Sequence, residues 1–436
     1  MADIGFLGMR GTGDWQTDQR PKNWREGILR LYPNGMAPLT AIMSMLGSEK
    51  TDDAEFNWWT KAFPTQSVAT TGIYTDALST PYVSGGGAGD TLYVKMSAAN
   101  VANFRAGHLV LLRDASDLTT DVVASVHSVT VNGASSYIRV TLLEDDDNSA
   151  HSHDLSDVDT AIIIGNINEE GAAMPTSVAY DPTKLTNYTQ IFRTPLSITR
   201  TARQTRLRTY DQYKESKREA LELHSVEMEK AFLFSIPYES TGSGGKPIRA
   251  TGGINYWLKT YASDNLDYFN LNAAYAGKDW LDTDGGWAWL WVMMERLFAY
   301  GSTEKLALCG NGALAGLNKL AQIGGHFTLT PQTRAYGIKV LEWVTPFGTI
   351  YLKTHPLLSQ EATLTNSMFI IDTKKLKYRY VQDTKFYGEG GKAGDGTNSG
   401  RIDATTEEYL TEAGLELHHP LCFGALHGVG LDGPTA

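Results

Sequence analysis

The chain has 436 residues, with 49 acidic against 38 basic side chains and a formal net charge of −11. Its length makes room for about two to four domains, and 42% hydrophobic content excludes a disordered chain. The acid excess excludes a dedicated nucleic-acid binder, and no apolar run reaches the roughly 20 residues of a membrane-spanning helix.

In chain order, the N-terminal stretch lacks the basic-then-apolar order of a signal peptide, so an intracellular chain is expected. Residues 36–46 read as a short helix. Charge is then segregated. Residues 85–175, opened by the Gly-rich run from Ser84 to Gly89, hold 13 acidic and 4 basic side chains, a balance of −9. The segment has no Trp, and its aromatics are Tyr93, Phe104 and Tyr137. Its hydrophobic period is two: Leu92, Val94 and Met96 alternate, 108–113 is an apolar run, and 122–131 meets 137–143 across Asn132-Gly133, a strong hairpin signal. Residues 161–164 add another candidate strand. A small β-barrel or β-sandwich with its own core is expected here.

Immediately afterwards, residues 184–219 carry 9 basic and 3 acidic side chains, a balance of +6. The Thr- and Arg-rich stretch 187–208 is extended in character, and Pro195 bars it from a central strand. Residues 209–236 read as one long helix capped by Thr209 or Asp211 and stopped by Pro237. Its apolar face comprises Tyr213, Ala220, Leu221, His224, Met228, Ala231 and Phe232. Residues 286–301 form a second predicted helix, with Trp287, Leu290, Trp291, Met294 and Leu297 as its buried stripe. A strand at 305–309, a helix at about 312–323 and strands at 339–344, 349–354 and 368–372 follow. Residues 388–396 read as a mobile Gly-rich loop, 409–417 as a last strand, and the remainder as a loose tail.

No constellation supports catalysis. Gly245-Lys246-Pro247 and Gly391-Lys392-Ala393 fail the last position of a phosphate-binding loop, and Gly428, Gly430 and Gly433 lie too near the end to open a helix. His151, His153 and Asp154 are the best metal candidates, but their loop-like flanks favour a solvated turn over a four-ligand site. His224, His418 and His419 read as structural. Cys309 and Cys422 are too few for a disulfide framework, and Cys309 ends an apolar strand, which suits an inert thiol. The Trp287, Trp289 and Trp291 cluster reads as core. Arg193, Arg200, Arg203, Arg206 and Arg208 could hold phosphates. The chain's sign points instead to contacts between protein surfaces, with the acidic run Glu144, Asp145, Asp146 and Asp147 as their counterpart.

The order of elements resembles the major capsid proteins of tailed bacteriophages with the Hong Kong 97-type fold, above all the subgroup with a β-rich domain inserted in the extended loop. The matching stretches are DDAEFNW at 52–58, NYTQIFRTPLSITRTA at 187–202, EALELHSVEMEKAFLF at 219–234, the strand pair around 347–352, and the turn at 370–372. The resemblance implies an α+β fold with an N-terminal arm (1–50), an extended loop region (51–208) bearing the β-rich insert (about 85–175), a spine helix and peripheral domain (209–260), an axial domain (261–365), and a return to the peripheral domain with a C-terminal tail (366–436). It implies homo-pentamers and homo-hexamers in an icosahedral virion shell around packaged double-stranded DNA, assembled in the host cytoplasm. No enzyme activity, no cofactor and no membrane are implied, and scaffolding, portal and decoration proteins are possible partners. The long helical, charged N-terminal segment that some relatives use as a built-in scaffold is not evident.

Physical considerations point the same way. A ribbon without a core of its own must find partners on neighbouring copies. Outside the insert the chain carries only −2, which suits a shell that confines DNA without gripping it. Two other readings share some of these features: an encapsulin-like compartment shell, and a carbohydrate- or receptor-binding virion protein acting through the acidic insert.

Overall fold

The computed structural model describes residues 48–61, 66–114, 121–146, 155–171, 174–205, 211–324, 329–335, 338–388 and 404–435. The helix expected at 36–46 and most of the Gly-rich loop at 388–396 lie outside them. The chain divides into two compact units: Trp59–Lys184, and the flanking stretches that fold together.

Strands β1 (Ser48–Lys50) and β2 (Glu55–Thr60) come first. The unit Trp59–Lys184 then contributes β3 (Ser67–Ala69), β4 (Gly72–Tyr74), β5 (Thr91–Lys95), a one-turn helix α1 (Ala98–Val101), β6 (His108–Arg113), β7 (Asp121–Thr130), β8 (Tyr137–Leu142) and β9 (Thr160–Asn166). They form one antiparallel sheet in the order β3-β9-β6-β7-β8-β5-β4. Strands β3 and β4 precede the acidic segment yet belong to the same sheet. Alternate residues (Leu92 and Val94, Val110 and Leu112, Ile138 and Val140) pack into a single core with Phe104 and Leu155. A period of two puts every second side chain on one face, so the sheet buries that face against itself. A bulge between Val126 and Ser128 releases His127 from the pairing. Asn132-Gly133 does not make the two-residue turn its sequence suggests. Ser136 Oγ accepts from Asn132 N and donates to Gly133 O, both at 2.8 Å, closing a wider loop with a 3-10 turn at Gly133–Ser135.

In the second unit, β10 (Thr183–Tyr188) pairs with β2. It is followed by β11 (Gln190–Thr199), the short helix α2 (Arg200–Gln204) and the long helix α3 (Gln212–Phe234). Asp211 caps α3, accepting from Tyr213 N at 3.0 Å. At 1.5 Å per residue its 23 residues span about 35 Å. The buried face holds Ala220, His224, Met228, Glu229, Phe232 and Leu233. Leu221, expected among them, is instead exposed.

The remaining elements are β12 (Tyr238–Thr241), β13 (Pro247–Ala250), α4 (Ile254–Tyr261), β14 (Leu266–Tyr268), α5 (Ala288–Phe298), β15 (Glu304–Cys309), α6 (Asn311–Gly324) and β16 (Leu329–Ala335). After them come β17 (Ile338–Thr345), β18 (Gly348–Thr354), α7 (Pro356–Gln360), β19 (Met368–Ile371), β20 (Leu376–Tyr387), β21 (Ala404–Leu417) and β22 (Gly424–His427). Two sheets organise the unit. One is four-stranded, β1-β20-β21-β11, and α3 packs Phe232 against its Phe192 and Tyr378. The other is mixed and seven-stranded, β14-β22-β19-β15-β18-β17-β16.

Three expectations are corrected here. The ribbon at 187–208 is not coreless. Strand β11 pairs with β21 along all ten of its residues, and Phe192, Leu196 and Ile198 turn inward. Pro195 is tolerated because β11 is an edge strand, where one missing N–H breaks no ladder. The C-terminal tail is not loose. Strand β22 lies between β14 and β19, and Phe423, Ala425, Leu426 and Val429 are fully buried. Finally, the stripe of α5 is rotated: Trp289 and Met293 join Leu290, Met294 and Leu297 in the core, Trp287 is half-buried, and Trp291 is 38% exposed. Trp289 can be buried because its indole N–H donates to Asp267 Oδ2 at 2.7 Å.

Candidate assembly surface

The basic stretch is built on β11 and α2. Arg193 projects from the solvent face of β11 and makes a bidentate pair with Glu408 on β21. Nε and Nη2 each donate to a carboxylate oxygen at 2.8 Å. Its side chain is still 61% exposed. Arg203 lies over the Tyr213 ring at 4.7 Å. That phenol donates to Glu407 Oε2 at 2.6 Å, and its pKa is pushed up to about 12 by burial and by the carboxylate it faces. Arg200 follows Thr199, whose hydroxyl caps α2. Arg206 and Arg208 lie outside the described residues. Within the chain, Arg193 therefore meets Glu408 and Arg203 meets Tyr213. The adjacent Glu407 and Glu408 on β21 were the sequence signal for these partners.

The acidic run serves its own unit. Glu144 Oε1 accepts from Val123 N at 2.5 Å and Asp145 Oδ1 from Ala88 N at 2.7 Å. Asp146 accepts from the Tyr82 hydroxyl, which in turn accepts from Gly86 N at 2.8 Å. The Asp145 and Asp146 bonds hold the Gly-rich loop against the end of β8, and the Glu144 bond ties that end to β7. Gly85 and Gly89 have φ of +81° and +95° there, which other residues rarely adopt. Asp147, His151, His153 and Asp154 lie outside the described residues.

Two polar clusters fix the frame on which the arginines sit. Glu49 on β1 pairs with Lys377 and, at 2.7 Å, with Arg379 on β20; Arg379 and His418 both pair with Glu416. Burial pushes the Glu416 carboxyl up, but hydrogen bonds from His418 and Arg379 more than offset it and hold it below its ordinary value. On α3, His224 bridges two strands. Nδ1 lies 3.0 Å from Thr194 Oγ1 and Nε2 lies 2.7 Å from Thr411 Oγ1. Burial lowers its pKa. Further along, Glu229 and His355 meet at 2.7 Å, both fully buried. These are structural roles, with the apolar wall of α3 around them.

Nothing in the described residues assembles a reaction centre. No group of three or more His, Cys, Asp or Glu side chains among them is placed to hold a metal. The Cys309 and Cys422 thiols are buried and pushed up by it, so neither is a thiolate at neutral pH. The glycines Gly428, Gly430 and Gly433 serve packing: a Cβ on Gly430 would stand 2.8 Å from Gly316 Cα, and one on Gly433 would stand 2.2 Å from Tyr275 O.

A family model described as the SU10 major capsid protein matches residues 10–430. A major capsid protein of Pseudomonas phage PaMx41 is 26% identical over 410 residues, covering 92% of this chain and 90% of that protein. Among solved structures, one of Mycobacterium phage Bobi aligns at a TM-score of 0.45 and 7% identity, over 96% of each chain. The SrpI encapsulin complex of Synechococcus elongatus PCC 7942 aligns at a TM-score of 0.37 and 12% identity. That match covers 57% of this chain and 76% of that one.

Proposed function

Since the chain belongs to the SU10 major capsid protein family, we propose that its copies assemble as pentamers and hexamers into an icosahedral shell around packaged double-stranded DNA. Its role is that of a structural subunit of a tailed-phage capsid, and its α+β fold is of the Hong Kong 97 type. The family match over residues 10–430 is the observation that carries this reading.

In this reading residues 1–50 are the N-terminal arm and 51–208 the extended loop region with the β-rich insert. Helix α3 is the spine of the peripheral domain, about 261–365 the axial domain, and 366–436 the return and tail. The chain performs no reaction and takes no cofactor. The family match and the structural hydrogen bonds of His224 and His355 fit this reading. A net charge of −11 makes the DNA a content of the shell rather than a bound ligand, because duplex phosphates attract only a cationic surface. Scaffolding, portal and decoration proteins are the natural further partners, with assembly in the host cytoplasm.

Charge contributes to contacts between copies in this reading. The basic residues Arg193, Arg200, Arg203, Arg206 and Arg208 of one copy face the acidic run of another. Such contacts are screened within about 8–10 Å at physiological ionic strength, so assembly weakens as salt rises. Negative-stain microscopy of the purified full chain tests the whole reading. Hollow particles are expected; a monodisperse monomer under all assembly conditions refutes it.

A further inference from the structure

One face of the unit Trp59–Lys184 runs against the unit's charge. Strands β4, β5, β8 and β7 are neighbours in that order, and the side chains that alternate with their core residues point outward. Cross-strand register sets those side chains in rows. One row holds Tyr74, Tyr93, Arg139 and Ser128, and the next holds Lys95, Tyr137 and Thr130. The bulge between Val126 and Ser128 is what brings Ser128 and Thr130 to this face, with Val129 turned to the core. All seven side chains are half-buried, and neither row contains a carboxylate. The two rows have crossing diagonals. Tyr93 and Tyr137 lie on one, edge to face with ring centroids 5.4 Å apart; Lys95 and Arg139 lie on the other. Tyr74 lies over Gly72, where a Cβ would stand 3.6 Å from its Cε2, so its ring rests along the sheet.

Residues 85–175 hold 13 acidic and 4 basic side chains. Arg113 pairs with Asp121, and Arg105 donates to His108 and to Thr176 O. The other two are Lys95 and Arg139, and neither has an ion-pair partner among the described residues. Arg139 Nε is shut off from solvent without a hydrogen-bond acceptor. Two cations left side by side and unpaired, in a segment so rich in carboxylates, form a place for an anion from outside.

We propose that this face binds an acidic glycan. The C–H faces of the sugar rings stack on the tyrosines, a ring carboxylate meets Arg139 and Lys95, and the hydroxyls of Ser128 and Thr130 pair with sugar hydroxyls. The proposal is independent of how copies of the chain assemble. Charge and topology select the ligand class. A single-stranded nucleic acid would stack equally well, but it brings one phosphate per nucleotide to a segment of balance −9. A glycan with one carboxylate per repeat brings only the charge that two cations can take. An added peptide strand finds little edge. Strands β3 and β4 are three residues each and are joined through Thr70 and Thr71, which bond to Asp159 O and Lys95 O at 2.8 Å, so the sheet closes on itself. Neither row holds an aliphatic side chain, so the face lacks the desolvated apolar centre of a protein contact.

The test titrates the purified full chain into fluorescein-labelled octasaccharides bearing glucuronate, galacturonate or sialic acid, read by fluorescence anisotropy at low salt. Neutral maltooctaose and a short oligothymidylate run alongside. Saturable binding of at least one acidic octasaccharide is expected, with maltooctaose weaker by about tenfold or more. Arg139→Gln and Tyr93→Ala each weaken that binding by about tenfold or more, whereas Arg113→Gln, whose cation is already paired, binds as wild type. Circular dichroism checks folding, and if either variant loses its fold, Lys95→Gln and Tyr74→Ala take their place. Failure of all three acidic octasaccharides to bind overturns the proposal, as does unchanged binding by the folded Arg139→Gln variant. Tighter binding of oligothymidylate than of every acidic glycan overturns it in favour of single-stranded nucleic acid. Each of these results leaves the shell reading standing.

Discussion

The docking of the C-terminal tail rests on two glycines and predicts a measurable defect. Gly316 on α6 faces Gly430, whose φ is +86°, and a Cβ at 316 would stand 2.4 Å from Gly430 Cα and 2.9 Å from Gly430 N. Ordinary carbon contacts lie at about 3.5–4.0 Å, so Gly316→Val must displace the tail backbone by about 1 Å. Overpacking of that kind costs about 1–3 kcal/mol or more, and replacing Gly by Val in a helix returns only a few tenths. A net loss of about 1–3 kcal/mol follows, or about 2–6 °C in Tm at about 2 °C per kcal/mol for a unit of this size. A local reporter is built in. Trp280 is 2% exposed, its indole N–H donates to Gly316 O at 2.9 Å, and its backbone N–H donates to Asp432 Oδ1 at 3.0 Å. The variant is expected to show red-shifted tryptophan emission and earlier proteolysis at the C-terminus. Gly165→Ala, with open space around its Cβ position, serves as the control. A Gly316→Val protein with wild-type Tm and emission refutes the packing argument.

Other outcomes follow from single contacts. Burial, helped by the charge of Lys259, lowers the pKa of His427 from about 6.5 to about 4, so the unfolded chain takes up a proton that the folded chain refuses. Its contribution is complete above about pH 6.5 and is lost as pH falls toward 4, about 3 kcal/mol in all; denaturant titrations of His427→Asn should show a flatter profile across that window. Leu112 is fully buried in the seven-stranded sheet of Trp59–Lys184, and Leu112→Ala should cost about 2–5 kcal/mol in chemical denaturation. Arg193→Ala removes a well-formed but largely exposed pair and should change subunit stability by about 1 kcal/mol or less. An acid-sensitive loss is expected around Glu416, whose depressed carboxyl stabilises the fold above its unfolded pKa of about 4.5 and stops doing so as pH falls through its lower folded value; Glu416→Gln should remove that part of the acid transition.

Much of this fold could be read from the chain because its signals are local. Alternation at Leu92, Val94, Val110, Leu112, Ile138 and Val140 marks strands with one buried face, and the 3.6-residue period of α3 marks its wall. The signals failed where identity depends on distant neighbours. Strand β22 has four residues, Gly-Ala-Leu-His, and no run of its own length distinguishes it from a tail. Strand β20 alternates weakly because two register shifts interrupt its pairing with β21. In α5 the helical period was clear but its phase was not, because Trp287, Trp289 and Trp291 are all apolar and only the position of Asp267 decides which indole goes inside.

Composition and periodicity thus determined the class of this protein, an acidic α+β chain with its charge gathered in one β-rich segment, a long helix and no catalytic motif; the resemblance to a capsid subunit rested on its element order and matching stretches. Tertiary structure decided the partners. Arg193 meets Glu408 across 215 positions of chain, and the tail enters a sheet between β14 and β19, both made upstream. Periodicity belongs to neighbouring residues and is written in their succession. Pairing, burial phase and leftover surface belong to residues brought together only when the chain closes on itself. Trp291 is therefore a core residue by pattern and a partly exposed one by position.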